Sequence, residues 1–599
     1  MAYLTAQKQG GGLYTTIYAT VATWGDLGGG RRGAVQQRFY VGRLDGDSGL
    51  VRVTKGIAGS RRVEVDLETL RERVKAAGSV AAVETWLRGL CASGVGSVAA
   101  AAPAADAPES LPSPEPVVLL PSRDVGTALV GQAHVLGGLA RSIGLDRCLA
   151  EAFGEPVGEA LLHLAMHQAV RGAPLYLAEA WLDDLWLPEC LAGFDFSSPG
   201  LSRLMDAVGR RETDRQSFYG AWMAERRHPR ALVYDTTSIS TYAADLEAAA
   251  FGHNRDGEPL PQENLALVCN RADGMPLFCR LVPGSVPDVV TLDATARMLR
   301  ALGLEDTEFA LDRGFYSNSN ARDLLAMGHH FTLGVLLSCR QSRDILARHR
   351  AALDSPRRSI CHEGRSVRHI REDWTVDMGR DRDRNRLPGR TVDAHLYFDL
   401  RRHADQTASL DEKVFAIEDK AARETFGEIG DARRWLAENA RQLAPCLGAD
   451  KDADGRVTVR RRPRAIAARA ANFGYQLILC DTVGRDPAAV LADYRSRDRA
   501  EKLFDLLKND DGQHRLRTGN QTVAEGRIFL AFLALVLRAE TENRLRTAGL
   551  LRKITVAEFL AEVGKIRAIR LPEGDRLLRE VTKRQREWIA AIGLPPVTV

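Results

Sequence analysis

The sequence predicts an α/β protein whose central sheet is interrupted by a long mixed insertion, with a small β unit ahead of it and helical segments on either side. Three observations carry this. Between 232 and 336, short apolar runs alternate with amphipathic ones in the order β, β, β, α, β, α, β. From 124 to 222, and again from 486 onward, apolar residues recur at helical spacing. From about 340 to 480 that regularity gives way to short strands mixed with a charged helix. The chain has 599 residues, room for about four domains of ~150 residues, and its 45% hydrophobic and 27% charged residues are an ordinary globular balance.

Taken in order, 13–24 and 35–44 are β-branched and aromatic runs on either side of a glycine-rich turn, and 65–90 predicts a helix, so 1–92 reads as a β unit plus helix. Gly28, Gly30 and Gly33 satisfy G-x-G-x-x-G, but the next segment alternates as a strand and opens no helix to bind pyrophosphate; they read as a hairpin turn. Five prolines between Ser93 and Pro116, set among Ala, Ser and Gly, predict a linker over 93–122. A helical domain without strands follows over 123–229. The segment 230–339 holds the strands 232–235, 265–269, 275–282, 309–312 and 331–336, with Asp273 and Gly274 in a turn and Asp288 capping a helix that runs to 302. The insertion occupies 340–483. Asp486 as N-cap with Pro487 behind it starts a helix expected to run to 508, within a segment 484–545, and 546–599 continues as helix.

Composition narrows function without naming it. A net charge of +4 points to no partner, and nine cysteines without a CxxC pair argue against zinc ribbons and disulfide frameworks. The strongest apolar run, 528–537, is half a bilayer span, and no basic-then-apolar leader opens the chain, so a soluble, cytoplasmic protein without membrane association is expected. Charge is uneven, however. Residues 340–402 hold sixteen arginines against ten acids, and 455–473 holds six arginines and no acid. Such stretches suit either a solvated surface or a track along nucleic-acid phosphates.

Candidate chemistry lies at two apolar strands that each run into a carboxylate: Leu232, Val233, Tyr234 into Asp235, and Phe309, Ala310, Leu311 into Asp312. Acids at the carboxyl ends of neighbouring strands converge on one sheet edge, where open α/β folds place ligands. On the helix predicted from 487, Tyr494, Arg497, Glu501 and Lys508 fall on one face and Leu503, Leu506 and Leu507 on the other. Glu501 adds a third carboxylate. Three carboxylates suit a pair of Mg²⁺ ions, with Mn²⁺ able to substitute, and leave charge over for a phosphate. Two further acid-bearing strings carry less. Asp450, Asp452, Asp454 and Gly455 mimic a calcium loop but have Arg461 at its twelfth position, and adjacent Cys361, His362 and Glu363 lack spaced partners.

Tyr494, Arg497, Glu501 and Lys508 fit Y-x2-R-x3-E-x6-K, and the strings VYDTTSIS, DGMPLFCRLVPGSVPD, ALDRGFYS and FTLGV accompany it. In these features the chain, over roughly 232–545, resembles the branch of bacterial insertion-sequence DDE transposases that carries this signature (insertion-sequence-four-like). The resemblance implies an RNase H-like core split by a mostly β insertion, with Asp235, Asp312 and Glu501 as catalytic, metal-binding acids and Tyr494, Arg497 and Lys508 on DNA phosphates. It implies hydrolysis at the 3′ ends of an element and attack of each freed 3′-OH on target DNA. The partners it implies are double-stranded DNA, as terminal inverted repeats and target, and a second copy of the chain; the setting is a bacterial, nucleoid-associated one. The helical domain 123–229 is then a candidate reader of the ends, and Arg226, Arg227 and Arg230 further phosphate contacts. Two alternatives stay open: a transposase-derived regulator that binds without cutting, and an RNase H-like nuclease with another substrate.

Overall fold

The computed structural model describes residues 2–9, 14–26, 32–44, 50–53, 64–76, 83–88, 97–98 and 126–598, the last range apart from 173, 244, 253, 255–257, 381–383, 511–514 and 571–575. It divides into two units, Met1–Val118 and Leu119–Val599. In the first unit, six strands lie side by side in chain order. Tyr14–Asp26 and Arg32–Leu44 form a long antiparallel hairpin in which Gly25 faces Gly33; Gly28 and Gly30 lie outside the described residues. Ile17, Val41, Val51 and Val65 of the sheet bury Leu70 and Val74 of the helix Leu67–Ala76 and Leu87 of a second helical piece at 83–88. The single helix expected over 65–90 is thus two pieces in the described residues. The expected linker 93–122 lies outside them, except for the strand Ser97–Val98.

The second unit is built on a ten-stranded mixed sheet. Its strands and the helices that matter here are β1 (Ala231–Thr241), β2 (Gln262–Asn270), β3 (Pro276–Pro283), α1 (Asp288–Ala301), β4 (Glu308–Leu311), α2 (Asn318–Ala326) and β5 (His330–Val335). Then come β6 (Ser359–His362), β7 (Arg365–Val376), β8 (Arg390–Phe398), β9 (Tyr475–Cys480), α3 (Pro487–Arg495), α4 (Asp498–Asp505), β10 (Arg515–Leu516) and α5 (Gln521–Thr547). The order across the sheet is β3-β2-β1-β4-β5-β9-β8-β7-β6, with β10 pairing β1. β1, β2 and β3 are antiparallel, whereas β4 is parallel to both β1 and β5.

The insertion is therefore no detached body: β9 pairs antiparallel with β5, and β8, β7 and β6 extend the same sheet. It is also not mostly β. Helices Arg340–Leu353, Leu400–Ala422, Ile429–Asn439 and Pro463–Ala470 contribute more residues than its strands do. Three of these helices and the hairpin Leu447–Lys451/Val457–Arg461 close over a small core of their own, with Leu410, Val414, Leu436 and Leu447. The Asp450–Asp454 string is the turn of that hairpin, where Asp452 accepts the backbone N–H groups of Asp454 (3.0 Å) and Arg456 (2.9 Å).

α5 runs through the middle of the main core. Ile528, Phe529, Leu530, Phe532, Leu533, Leu535, Val536 and Leu537 are all buried, as a helix apolar on every side must be. The helix Ser198–Arg210 crosses it so closely that a Cβ at Gly209 would lie 1.7 Å from the Thr522 carbonyl oxygen and one at Gly526 2.1 Å from that of Met205. Two strand-free stretches of the sequence reading do contain strands. Gly126–Leu129 pairs with Arg567–Arg570, which pairs with Arg576–Leu578. Among the described residues, no helix is long and apolar enough to cross a membrane.

Candidate active site

The parallel register of β1 and β4 places the first two acids. Leu311 is the partner of Tyr234, so Asp235 and Asp312, the next residue on each strand, come side by side. Asp235 is not at a strand end as the sequence suggested. β1 continues to Thr241, with Asp235 opposite Leu267 of β2, because the polar run Thr236–Thr241 is itself buried between β2 and β10. Asp235 is only 3% exposed and accepts the Thr236 N–H at 2.8 Å. Beside it, the Thr236 hydroxyl donates to Asp288 at 2.7 Å. Asp288 is the first residue of α1, with Pro287 in the cap position, and so does not cap that helix. Asp273 accepts the Met275 N–H (3.0 Å) in its turn and pairs with Arg226 (3.2 Å), while Arg230 pairs with Asp306 (3.3 Å).

The helix expected from 487 to 508 is broken. α3 ends at Arg495, α4 spans Asp498–Asp505, and Leu506–Asp510 is a π-helical turn. At the break the Ser496 hydroxyl donates back to the Asp493 carbonyl at 2.6 Å, competing with the helical ladder. Arg497 keeps right-handed helical dihedrals, so the turn spacing survives and Tyr494, Arg497 and Glu501 still share a face. Leu503, Phe504 and Leu507 fix the opposite face in the core.

That face meets the two aspartates. The Tyr494 hydroxyl donates to Asp312 Oδ1 at 3.1 Å, and burial pushes its pKa up to about 12, so it stays a donor. Arg497 reaches Asp312 at 3.0 Å and Glu501 at 3.3 Å and lies over the Tyr494 ring. Burial opposes its charge, but Tyr494, Asp312, Glu501 and Asp235 outweigh burial and hold the guanidinium above its ordinary pKa. All three acids thus act on one cation, at the rim of a cleft of about 600 Å³ lined by Asp312, Arg313, Arg402, Tyr494, Arg497 and Glu501 among others. Glu501 is 53% exposed. Lys508, in the π-helical turn, is 8% exposed and is not part of that cleft wall.

Sequence reasoning missed one residue that this geometry requires. A Cβ on Gly334 of β5 would stand 2.5 Å from the Tyr494 hydroxyl, so only glycine lets the tyrosine reach Asp312. The signal was an isolated glycine inside the strand string FTLGV, which marks close approach of a neighbour. Among the described residues, no three His, Cys, Asp or Glu side chains are grouped closely enough to hold a metal ion. In the acid cluster, the Arg497 guanidinium occupies the place of the positive charge. Hard carboxylate oxygens around a single positive group are nonetheless the donor set a divalent cation takes.

Asp235 on β1, Asp312 just past the parallel β4 and Glu501 on α4 thus meet around Arg497 at one edge of a mixed sheet. Residues 226–537, more than half of the chain, match the transposase DDE domain family, and the chain belongs to that family. It is a DDE transposase. Among solved structures it is similar to a piggyBac transposase synaptic complex with hairpin DNA, at 9% identity and a TM-score of 0.32, over 72% of this chain and 76% of that one. No curated protein matches it.

Proposed function

We propose that this transposase cleaves the ends of an insertion sequence and joins the freed 3′-OH ends to target DNA, with Asp235, Asp312 and Glu501 as its catalytic acids. The observation that carries the reading is the convergence of three carboxylates on the guanidinium of Arg497, two of them in the wall of an open cleft. The sheet order β3-β2-β1-β4-β5, antiparallel up to β1 and parallel beyond it, supports an RNase H-like core. Its acids then stand on β1, just past β4, and on the helix after the insertion.

Asp235, Asp312 and Glu501 would hold Mg²⁺, or Mn²⁺ in its place. When bound, such ions neutralise phosphate charge and activate the attacking oxygen of an in-line displacement. The chain's own groups do the positioning. Tyr494 orients Asp312 through its O–H. Arg497 neutralises the acids in the DNA-free protein and, turned toward the cleft, grips a phosphate with parallel donors. Lys508 joins that phosphate set if the π-helical turn brings it to the cleft. Water attacks the phosphodiester at each element end, releasing a 3′-OH that attacks a target phosphodiester. Neither step needs a covalent protein nucleophile. Two ends handled together call for a homodimer on double-stranded DNA, in a bacterial cytoplasm.

The test uses purified protein, Mg²⁺ and labelled DNA carrying the element's inverted repeats. Strand cleavage and joining are expected, and Asp235→Ala, Asp312→Asn and Glu501→Gln abolish both while DNA binding survives. A wild type that binds ends and never cuts is a regulator; metal-independent cutting, or full activity in the variants, removes the triad.

A further inference from the structure

Among the described residues, Arg402 is an arginine without an ion-pair partner. It stands in the first turn of the helix Leu400–Ala422, whose first turn contains no acid, and cations there oppose the helix dipole. The nearby carboxylate is already committed: Asp399 accepts the backbone N–H groups of Arg401 and Arg402 and pairs with Arg495 at 2.9 Å. Among the described residues, no carboxylate lies within ion-pair distance of the Arg402 guanidinium. Burial depresses its pKa, Arg495 and Arg497 push the same way, and Tyr494 and Asp399 offset only part of this. On the same wall, Nε of Arg497 is buried with no hydrogen-bond acceptor.

The position explains what such a group is for. The cleft that holds Asp312 and Glu501 is neighboured by a groove of about 820 Å³, and the two share Arg402, Gln406, Gln476, Tyr494 and Arg497 as a common wall. Gln406 uses its Oε1 to accept the Gly474 N–H at 2.9 Å, which leaves its NH₂ group as the donor for an anion. Beyond the wall, Arg365, Arg401, Arg495, Arg499 and Lys502 line the groove and outnumber its acids, Glu363, Asp399, Asp405 and Asp498. A groove with an excess of basic residues, running past a guanidinium that has no ion pair, suits an extended polyanion better than a single ion.

We propose that Arg402, with Gln406 and Gln476, is a phosphodiester subsite that holds the DNA backbone as the strand leaves the acid cluster and enters the insertion's groove. The inference rests on the DNA-transferring reading above and adds a contact made before chemistry. The experiment is end-duplex binding by fluorescence anisotropy in EDTA, across a salt series, for wild type, Arg402→Gln and Arg402→Lys. Arg402→Gln should weaken binding about tenfold and reduce the slope of log K against log salt by about one. Arg402→Lys should restore the slope. The Arg402→Gln protein should melt no lower than wild type, since the DNA-free chain loses only an unfavourable charge.

Unchanged affinity and slope in Arg402→Gln overturn the subsite. So does a melting loss large enough to account for the weakened binding. Inorganic phosphate is the competing probe: if it binds wild type in an Arg402-dependent way while the DNA slope stays unchanged, the site serves a small anion and not a strand. A wild type that shows the Arg402-dependent slope but never cuts DNA sinks the catalytic reading and leaves this one standing; cutting with no Arg402 effect does the reverse.

Discussion

The helices that carry Glu501 join two charged clusters of opposite design. At the start of β4, Glu308 pairs with Arg271 (2.9 Å) and with Arg485, while Asp493 of α3 pairs with the same two arginines. Two acids meet two bases, mostly buried, and every charge is matched. Burial raises the Glu308 pKa, but the two arginines outweigh it and hold the group below its usual range; for Asp493 burial wins over the same arginines. One residue further along α3 begins the other cluster, where Asp235, Asp312 and Glu501 all act on Arg497, and Asp312, Glu501 and Arg497 line an open cleft. A balanced cluster closes on itself and fixes the helix to the sheet. A cleft-facing one keeps charged groups open to a ligand from outside the chain. The first makes the second possible, because Tyr494 and Arg497 reach Asp312 only if α3 is held in place.

The largest effects should fall on opposite readouts. Asp312→Asn removes charge from the cleft-facing cluster. DNA cleavage should drop by about 10³-fold or more, equivalent to about 4 kcal/mol in the transition state, while the denaturant midpoint stays level or rises. Glu308→Ala instead leaves Arg271 and Arg485 to share Asp493 alone in the balanced cluster, and stability should fall by about 3 kcal/mol. If Asp312→Asn destabilises as much as Glu308→Ala, the distinction between the clusters collapses.

A smaller effect tests how the two are joined. Gly334→Ala puts a methyl 2.5 Å from the Tyr494 hydroxyl and 2.8 Å from its ring carbon Cε2. Overpacking of this kind costs about 1 to 3 kcal/mol, and cleavage should decline with it because Asp312 loses its O–H donor. The Gly334→Ala/Tyr494→Phe double variant should recover part of the stability and none of the activity. Full recovery of activity would mean that Tyr494 does not orient Asp312.

How much of this could be read beforehand follows from the range of each signal. The aspartates are legible because each is preceded by three consecutive apolar strand residues, Leu232–Tyr234 and Phe309–Leu311, a local pattern. The continuation of β1 beyond Asp235 is not legible, since Thr236, Thr237, Ser238 and Ser240 look like a turn and are strand only because β2 and β10 cover them. Gly126–Leu129 escapes notice because its partner strand, Arg567–Arg570, lies near the other end of the chain. The break between α3 and α4 turns on one side-chain bond from Ser496, which hydrophobic period does not register. The balanced cluster joins Arg271, Glu308, Arg485 and Asp493 from four separate places in the sequence, and no spacing rule links them.

A third charged group stands between the two extremes and should give the smallest effect. At the seam where β5 meets the insertion's β9, the His330 ring donates from Nδ1 to Asp481 at 2.7 Å, and the other Asp481 oxygen accepts the Phe331 N–H at 2.8 Å. Nε2 lies 3.3 Å from Asp306, which also pairs with Arg230. The bond to Asp481 is the largest influence on His330 and raises its pKa above the ordinary 6.5, against the pull of partial burial. The folded state therefore favours the charged ring. Its contribution is complete below about pH 6.5, and it fades as pH rises through the raised folded value. Because the imidazole is partly exposed, the loss should stay below about 1 kcal/mol. The measurement is the difference in unfolding free energy between wild type and His330→Gln from pH 6 to pH 9, with the His330 ring titrated by NMR. His369 and His395, buried side by side on β7 and β8 with pKa values pushed down to about 3 and about 4, are common to both proteins and cancel in that difference. A stability difference that grows with pH, or a His330 pKa at or below 6.5, would show that the His330 charge does not help to hold the seam between β5 and the insertion.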